Sequence, residues 1–151
     1  MEMKTTVILV LITAVVGCFA KQADHLTEKA DVVQVQELKP PSELALMMRS
    51  MAAHADSVKA RIARNADLPP NPKKFRGLLT ATPTEGMHID PITFPTFGKD
   101  YLSKLGNLYK VKKGERTKAY NALVQSCANC HGTHCPGPLM RIKKMYAGSV
   151  E

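Results

Sequence analysis

Near the C-terminal end, Cys127-Ala128-Asn129-Cys130-His131 puts two thiols and an imidazole within little more than one helical turn. At about 100° per residue, Cys130 lies roughly 60° round a helix from Cys127 and His131 roughly 40°, so all three side chains leave one face. Thiols can form thioethers with porphyrin vinyl groups, and an imidazole nitrogen can ligate the iron. In an exported chain, C-x-x-C-H is therefore expected to hold one c-type haem covalently through Cys127 and Cys130, with His131 as an axial ligand. Two other chemistries use the same atoms. Cys127, Cys130, His134 and Cys135 could bind zinc, or Cys127 and Cys130 could cycle as a dithiol. The zinc set is crowded into nine residues with no second half-site, and the chain lacks the strand–helix alternation of a thioredoxin-like fold.

Covalent haem attachment requires an export compartment, and the N-terminus supplies a signal for one. Lys4 is followed by an apolar run from Val7 to Val16, long enough for a signal h-region and short for a membrane span. Residues 1–17 are expected to be a signal peptide. Val15-Val16-Gly17-Cys18 has the pattern of a bacterial lipobox, with cleavage before Cys18 and lipidation of that cysteine. The competing cut falls after Ala20, in Cys18-Phe19-Ala20. Either places the chain in the periplasm or cell envelope, and the first gives it a lipid anchor. Residues 18–40 are polar, end in Lys39-Pro40-Pro41 and are expected to act as a tether.

The remainder, 41–151, suits a single haem-binding domain. The 151-residue chain is 44% hydrophobic, has no Trp and only 5% aromatic residues, and carries eight Met. A small core of this kind gains from a large flat apolar group that fills it. The formal charge of +8 is kept after processing, because Glu2 and Lys4 cancel in the leader. A basic surface suits acidic docking faces of partner proteins or anionic lipid. The scattered lysines of an exported chain argue against nucleic acid.

Four helical segments are expected to position the motif. The first opens at Ser42 as N-cap, after Pro40-Pro41, and carries Leu44, Met47, Met48, Met51, Ala55, Val58 and Ile62 at three- and four-residue spacing to about Asn65. Pro72 opens a short second helix with Phe75, Leu78 and Leu79 inward. Residues 81–92, with two prolines, read as a crossing loop. The third helix starts near Pro95-Thr96 and points Phe97, Tyr101, Leu105 and Leu108 to one side. The fourth opens at Glu115 and aligns Tyr120, Leu123 and Val124 with the motif, until Pro136-Gly137-Pro138 stops it. Leu139, Ile142 and Met145 are expected to pack back against the bundle. The fold class is therefore all-α, an antiparallel four-helix bundle with haem near the C-terminal end of its fourth helix. A thioether on the facing first helix is a candidate for the opposite iron ligand: Met48, then Met51 or Met47. Met87 and His88 rank below them because they lie on a loop. His25, in the tether, and His54, on the flank of the methionine stripe, are poor candidates.

Over residues 42–135 this arrangement resembles the class II c-type cytochromes, the cytochrome c-prime group, whose haem motif is near the C-terminus of a helical chain. The resemblance implies Cys127 and Cys130 as attachment points and His131 as axial ligand. In that group the first helix faces the distal side. The turn Met51-Ala52-Ala53-His54 is similar to the turn that follows the distal position there, which implies Met48 at that position. Five-coordinate members have an apolar side chain at that place, and low-spin relatives ligate iron through a first-helix methionine. Dimerisation through the first two helices is a further implication, left open. The family commonly continues its helix past the motif histidine, whereas Gly132 and Pro136-Gly137-Pro138 interrupt it here.

Three functions follow as expectations. The first is an exported monohaem cytochrome that moves electrons between extracytoplasmic partners through a His/Met-ligated haem, and is not an enzyme. The second is a five-coordinate haem that binds gases. The third is a zinc-binding or dithiol lipoprotein without haem.

Overall fold

A computed structural model describes residues 40–148. The expected signal peptide, the lipidation site at Cys18 and the tether up to residue 39 lie outside the described residues. Within them the secondary structure is helical, with no strand. The main elements are α1 (Glu43–Ala63), α2 (Thr93–Leu108), α3 (Arg116–His134) and the short α4 (Leu139–Lys143). Two 3₁₀ segments, Lys73–Leu79 and Lys113–Glu115, join them. No described helix is long and apolar enough to cross a membrane.

The ends of α1 follow from local chemistry. Ser42 Oγ accepts the backbone N–H of Ala45 at 3.1 Å, while Glu43 favours the positive end of the helix dipole. At the other end Asn65 adopts φ +50°. The N–H groups of Asn65 and Ala66 donate back to the carbonyls of Ile62 and Arg61. This paired return is the Schellman termination, and a left-handed Asn is tolerated there. Between the caps Leu44, Met51, Ala55 and Val58 are buried, with Met47, Met48 and Ile62 packed partly against the core.

The second expected helix forms as the 3₁₀ segment Lys73–Leu79, which buries Phe75 and Leu78 and leaves Leu79 half-buried. Prolines at 69, 70 and 72 remove helix donors ahead of it, and its seven residues give little length for an α-helical ladder. It lies close against α2 because residue 98 is glycine. A Cβ there would come within 2.5 Å of Leu79 Cδ2.

α2 begins at Thr93, two residues before the expected Pro95. Asp90 Oδ1 accepts the N–H groups of Ile92 and Thr93 at 3.0 and 2.7 Å and the Thr93 hydroxyl at 2.8 Å. These hydrogen bonds hold the Asp90 carboxyl below its ordinary range. Pro95 then falls in the first turn, where its missing N–H leaves no bond unmade. Phe94 is buried and Phe97 half-buried, so the inward stripe is Phe94, Tyr101, Leu105 and Leu108.

α3 is the central element, with α2 packed along it and α1 and α4 against its other sides. Its C-terminal end lies beside the first turns of α1 and α2, since Leu44, Met48, Phe94, Cys130, His131 and His134 wall one cavity. Its N-terminal end lies beside the end of α1, where Arg116 Nη1 donates to the Ala66 carbonyl at 3.3 Å. α1 and α2 therefore both run antiparallel to α3. The segment after the motif folds back as expected, burying Ile142 and Met145. Tyr120 donates to the Met145 carbonyl at 2.9 Å, and Asn121 pairs with Ala147 through both its donor and its acceptor.

Candidate functional site

The motif occupies the last two turns of α3, and the helix continues through Gly132 to His134 before it stops. The cause of the stop is Pro136. Its ring disfavours helical backbone at the preceding residue, and Cys135 is extended at φ −154°, ψ 81°. That rotation turns the Cys135 carbonyl toward the imidazole of His131, whose Nδ1 lies 2.9 Å from it. A carbonyl only accepts, so Nδ1 carries the proton. The lone pair of His131 is then on Nε2, the tautomer a metal ligand needs.

Three cavities surround this imidazole. The largest, about 460 Å³, lies between α1 on one side and α3 and α4 on the other. Smaller ones of about 70 and 30 Å³ adjoin the first turns of α1 and α2. His131 stands in the wall of all three, and the one α1 residue that does the same is Met48. Cys127 lines the large cavity and one small one, whereas Cys130 lines the two small ones. The large cavity falls within the range of roughly 300–1,000 Å³ common for cofactor sites, and its deeper wall is apolar: Met51, Ala55, Leu123, Val124, Ile142 and Met145.

The methionines are thereby ranked. Met51 is buried and lines two of the cavities. Met47 lines none of the three; its Cε faces Gly77, 3.5 Å from where a Cβ would be, so it packs on the 3₁₀ segment. Met87 reaches the cavity of about 70 Å³ from the loop, while His88 is exposed and lines none of these cavities. His54 is turned away from the site. It packs edge-on to Phe75 and lies 3.1 Å from the hydroxyl of Tyr109, which also donates to the Pro69 carbonyl at 2.8 Å. Burial, followed by the nearby charge of Lys74, lowers its pKa.

Burial works against the thiolate at both motif cysteines. Burial, and then the neighbouring Cys130, pushes the Cys127 thiol up to about 12, and burial also raises Cys130. The attacking species in disulfide chemistry is the thiolate, which such a thiol scarcely supplies at neutral pH. Among the described residues no group of three or more His, Cys, Asp or Glu is placed to hold a metal ion. His134, one of the four zinc candidates, instead lies edge-on to Phe94 and Phe97, with Nε2 3.2 Å from the Thr93 hydroxyl.

Sequence reasoning missed three contributors to the site. α4 and the residues flanking it supply a whole wall of the large cavity through Pro138, Arg141, Ile142 and Met145. The backbone carbonyl of Cys135 orients His131. Tyr101, read only as part of a core stripe, is 5% exposed and lines the large cavity with no hydrogen bond to its hydroxyl among the described residues. Burial, followed by the proximity of Cys127, raises the pKa of that hydroxyl. Comparison with protein-family models, curated proteins and solved structures finds no match.

Proposed function

We propose that this chain is an exported monohaem c-type cytochrome that carries electrons between partner proteins of the cell envelope. The observation behind this reading is the convergence of His131 and Met48 on one cavity system that Cys127 and Cys130 also line. Cys127 and Cys130 would hold the porphyrin as thioethers, His131 would ligate iron through Nε2, and Met48 would take the opposite position. When bound, the haem supplies a one-electron couple, and thioether ligation tends to raise its potential.

The chain's own residues hold and shield the group. The apolar walls from α1, α3 and α4 exclude water, and the Cys135 carbonyl fixes the His131 ring. In this reading no residue performs bond chemistry on a substrate, and the protein serves as an electron carrier. Its net charge of +8 favours acidic docking faces on redox partners. Lipidation at Cys18 would keep it at the membrane, and the packing of an antiparallel bundle about the haem would complete the likeness to the class II cytochromes.

A five-coordinate, gas-binding haem is the second reading. It draws on the cavity of about 70 Å³ beside His131, walled by Leu44, Ile89 and Phe94, which offers a diatomic ligand an apolar chamber. Mass spectrometry of protein matured with a haem-attachment system tests the first step, since the mass must rise by one haem bound to Cys127 and Cys130. Its absence would sink both haem readings. The spectrum of the reduced protein with carbon monoxide separates them, because rapid binding to the unmodified chain means that Met48 does not ligate.

A further inference from the structure

The large cavity is apolar within and charged at its rim. Of the polar residues in its wall, Arg49, Asp56 and Arg141 are exposed, whereas Tyr101 is buried and Cys127 and His131 are half-buried. Arg141 Nη2 of α4 donates to Asp56 Oδ2 of α1 at 2.7 Å, with the two side chains 62% and 53% exposed. A pair so open to water is weakly held, and a guanidinium has five N–H donors, more than one carboxylate uses. Arg49 makes no ion pair or hydrogen bond among the described residues. Two cations thus face one anion at the mouth of an apolar chamber.

That distribution matches a flat apolar group that carries carboxylates along one edge. Resting on the haem reading above, we infer that Arg49 and Arg141 form a clamp for the two haem propionates, with Asp56 sharing Arg141 and moderating its charge. The inference concerns the segment after Pro136, where this chain departs from the continuing helix of the family it resembles. The Tyr120 and Asn121 bonds to Met145 and Ala147 hold the chain just after α4 to α3, and Arg141 of α4 faces Asp56 of α1 across the cavity. A guanidinium beside a propionate stabilises its charge, and a cation near the iron favours the reduced, less positive haem.

The test uses the full, haem-loaded chain in R49Q, R141Q, R141K and D56N forms, with K143Q as a control. Lys143 is an exposed cation of α4 that does not line the cavity. Covalent haem mass is verified first, then the propionate bending band in resonance Raman spectra and the midpoint potential are measured. R49Q and R141Q should each move the band, and R141Q should reduce the preference for the reduced state threefold to tenfold, tenfold being about 59 mV for one electron. D56N should move the potential the opposite way. R141K should keep most of the potential and still move the band, since it keeps the charge and loses the fork. K143Q should leave the band in place. Haem-loaded R49Q and R141Q with the wild-type band, or an R141Q potential no different from that of K143Q, overturns the clamp alone. A wild-type chain that takes up no haem overturns the parent reading instead. R49Q breaks no hydrogen bond or ion pair among the described residues, so it decides the matter even where R141Q does not accumulate.

Discussion

Replacement of Pro136 by Ala should change the electronics of His131 although Pro136 does not touch the imidazole. Proline at 136 holds Cys135 at φ −154°, ψ 81°, and that backbone aims the carbonyl at Nδ1, 2.9 Å away. With alanine there, α3 can extend by a turn and its carbonyls point along the helix axis. A net hydrogen bond of this kind contributes about 0.5–1.5 kcal/mol. It gives the imidazole more anionic character and so favours ferric iron over ferrous. If about 1 kcal/mol of that preference is lost, the midpoint potential rises by about 40 mV, since 1.36 kcal/mol is a factor of ten and a factor of ten is about 59 mV for one electron. Redox titration of the haem-loaded P136A protein measures the shift. In the haem-free chain, nitrogen chemical shifts of His131 should show the Nδ1-protonated tautomer in the wild type and a mixture in P136A. C135A is the control: it removes the thiol and keeps the carbonyl, so its potential should match the wild type. An unchanged potential in P136A, or equal shifts in P136A and C135A, would refute the link between the proline and the ligand.

Two tyrosines should respond oppositely to loss of their hydroxyls. Tyr120, fully buried, donates to the Met145 carbonyl, so Y120F leaves that carbonyl unpaired at a cost of about 1–3 kcal/mol, or about 2–4 °C in melting temperature per kcal/mol. Y101F removes a hydroxyl without a hydrogen-bond partner among the described residues and should melt no lower than wild type; equal losses in the two variants would contradict these assignments. Because burial and Lys74 hold the pKa of His54 below 6.5, the unfolded chain takes up this proton before the folded one does. The resulting stability is therefore full above about pH 6.5 and is lost as pH falls through the folded pKa, with Asp90 adding a further loss at lower pH because its pKa too is depressed. Urea denaturation at pH 7 and pH 5 should show the first decline, and H54N should flatten it. In the haem-loaded protein, M48A should open the iron to carbon monoxide, whereas M47A should not, because Met47 packs toward Gly77 and lines none of the three cavities. Fast binding in M47A alone would reverse the ranking of the sulfurs.

α1 was legible from end to end, because each of its signals is local: Ser42 caps, the stripe repeats every three or four residues, and Asn65 accepts the left-handed conformation. The placement of Cys127, Cys130 and His131 on one helix face was legible for the same reason. The start of α2 was misplaced by two residues because Pro95 marks the first turn and not the first residue, while the decisive cap is the side chain of Asp90. Periodicity could say that Phe75 and Leu78 turn inward, but 3₁₀ and α-helical turns both do that over seven residues. It placed Tyr101 in the core correctly and was silent on whether its hydroxyl finds a partner there. The return of α4 was foreseen from Leu139, Ile142 and Met145, yet which helix Arg141 would face depends on tertiary packing. Pro136 was visible as a helix stop; its second effect, on a carbonyl four residues from His131, needs the backbone in three dimensions.

The two sides of α3 differ in a way that suits a group held on one side and ligated on the other. Toward α2 the packing is tight, with Leu105 and Leu108 of that helix at 4% and 0% exposure. Cys127, Cys130 and His131 belong to this well-supported helix, whose end is fixed by Pro136, so a group bound there would keep one orientation. Toward α1 the apolar side chains are either small or adaptable: Ala52, Ala53 and Ala55 leave the room, and Met48 and Met51 border it. A methionine has three rotatable bonds and a polarisable sulfur, which lets it reach an iron or withdraw from one at little cost. The C-terminal half of α1 does close on the core through Val58, so this adaptability is confined to the turns opposite the motif. In the proposed cytochrome a histidine on a helix stopped by Pro136 would face an adaptable thioether, so substitutions in α1 should alter gas access to a bound haem and leave its attachment on α3 intact.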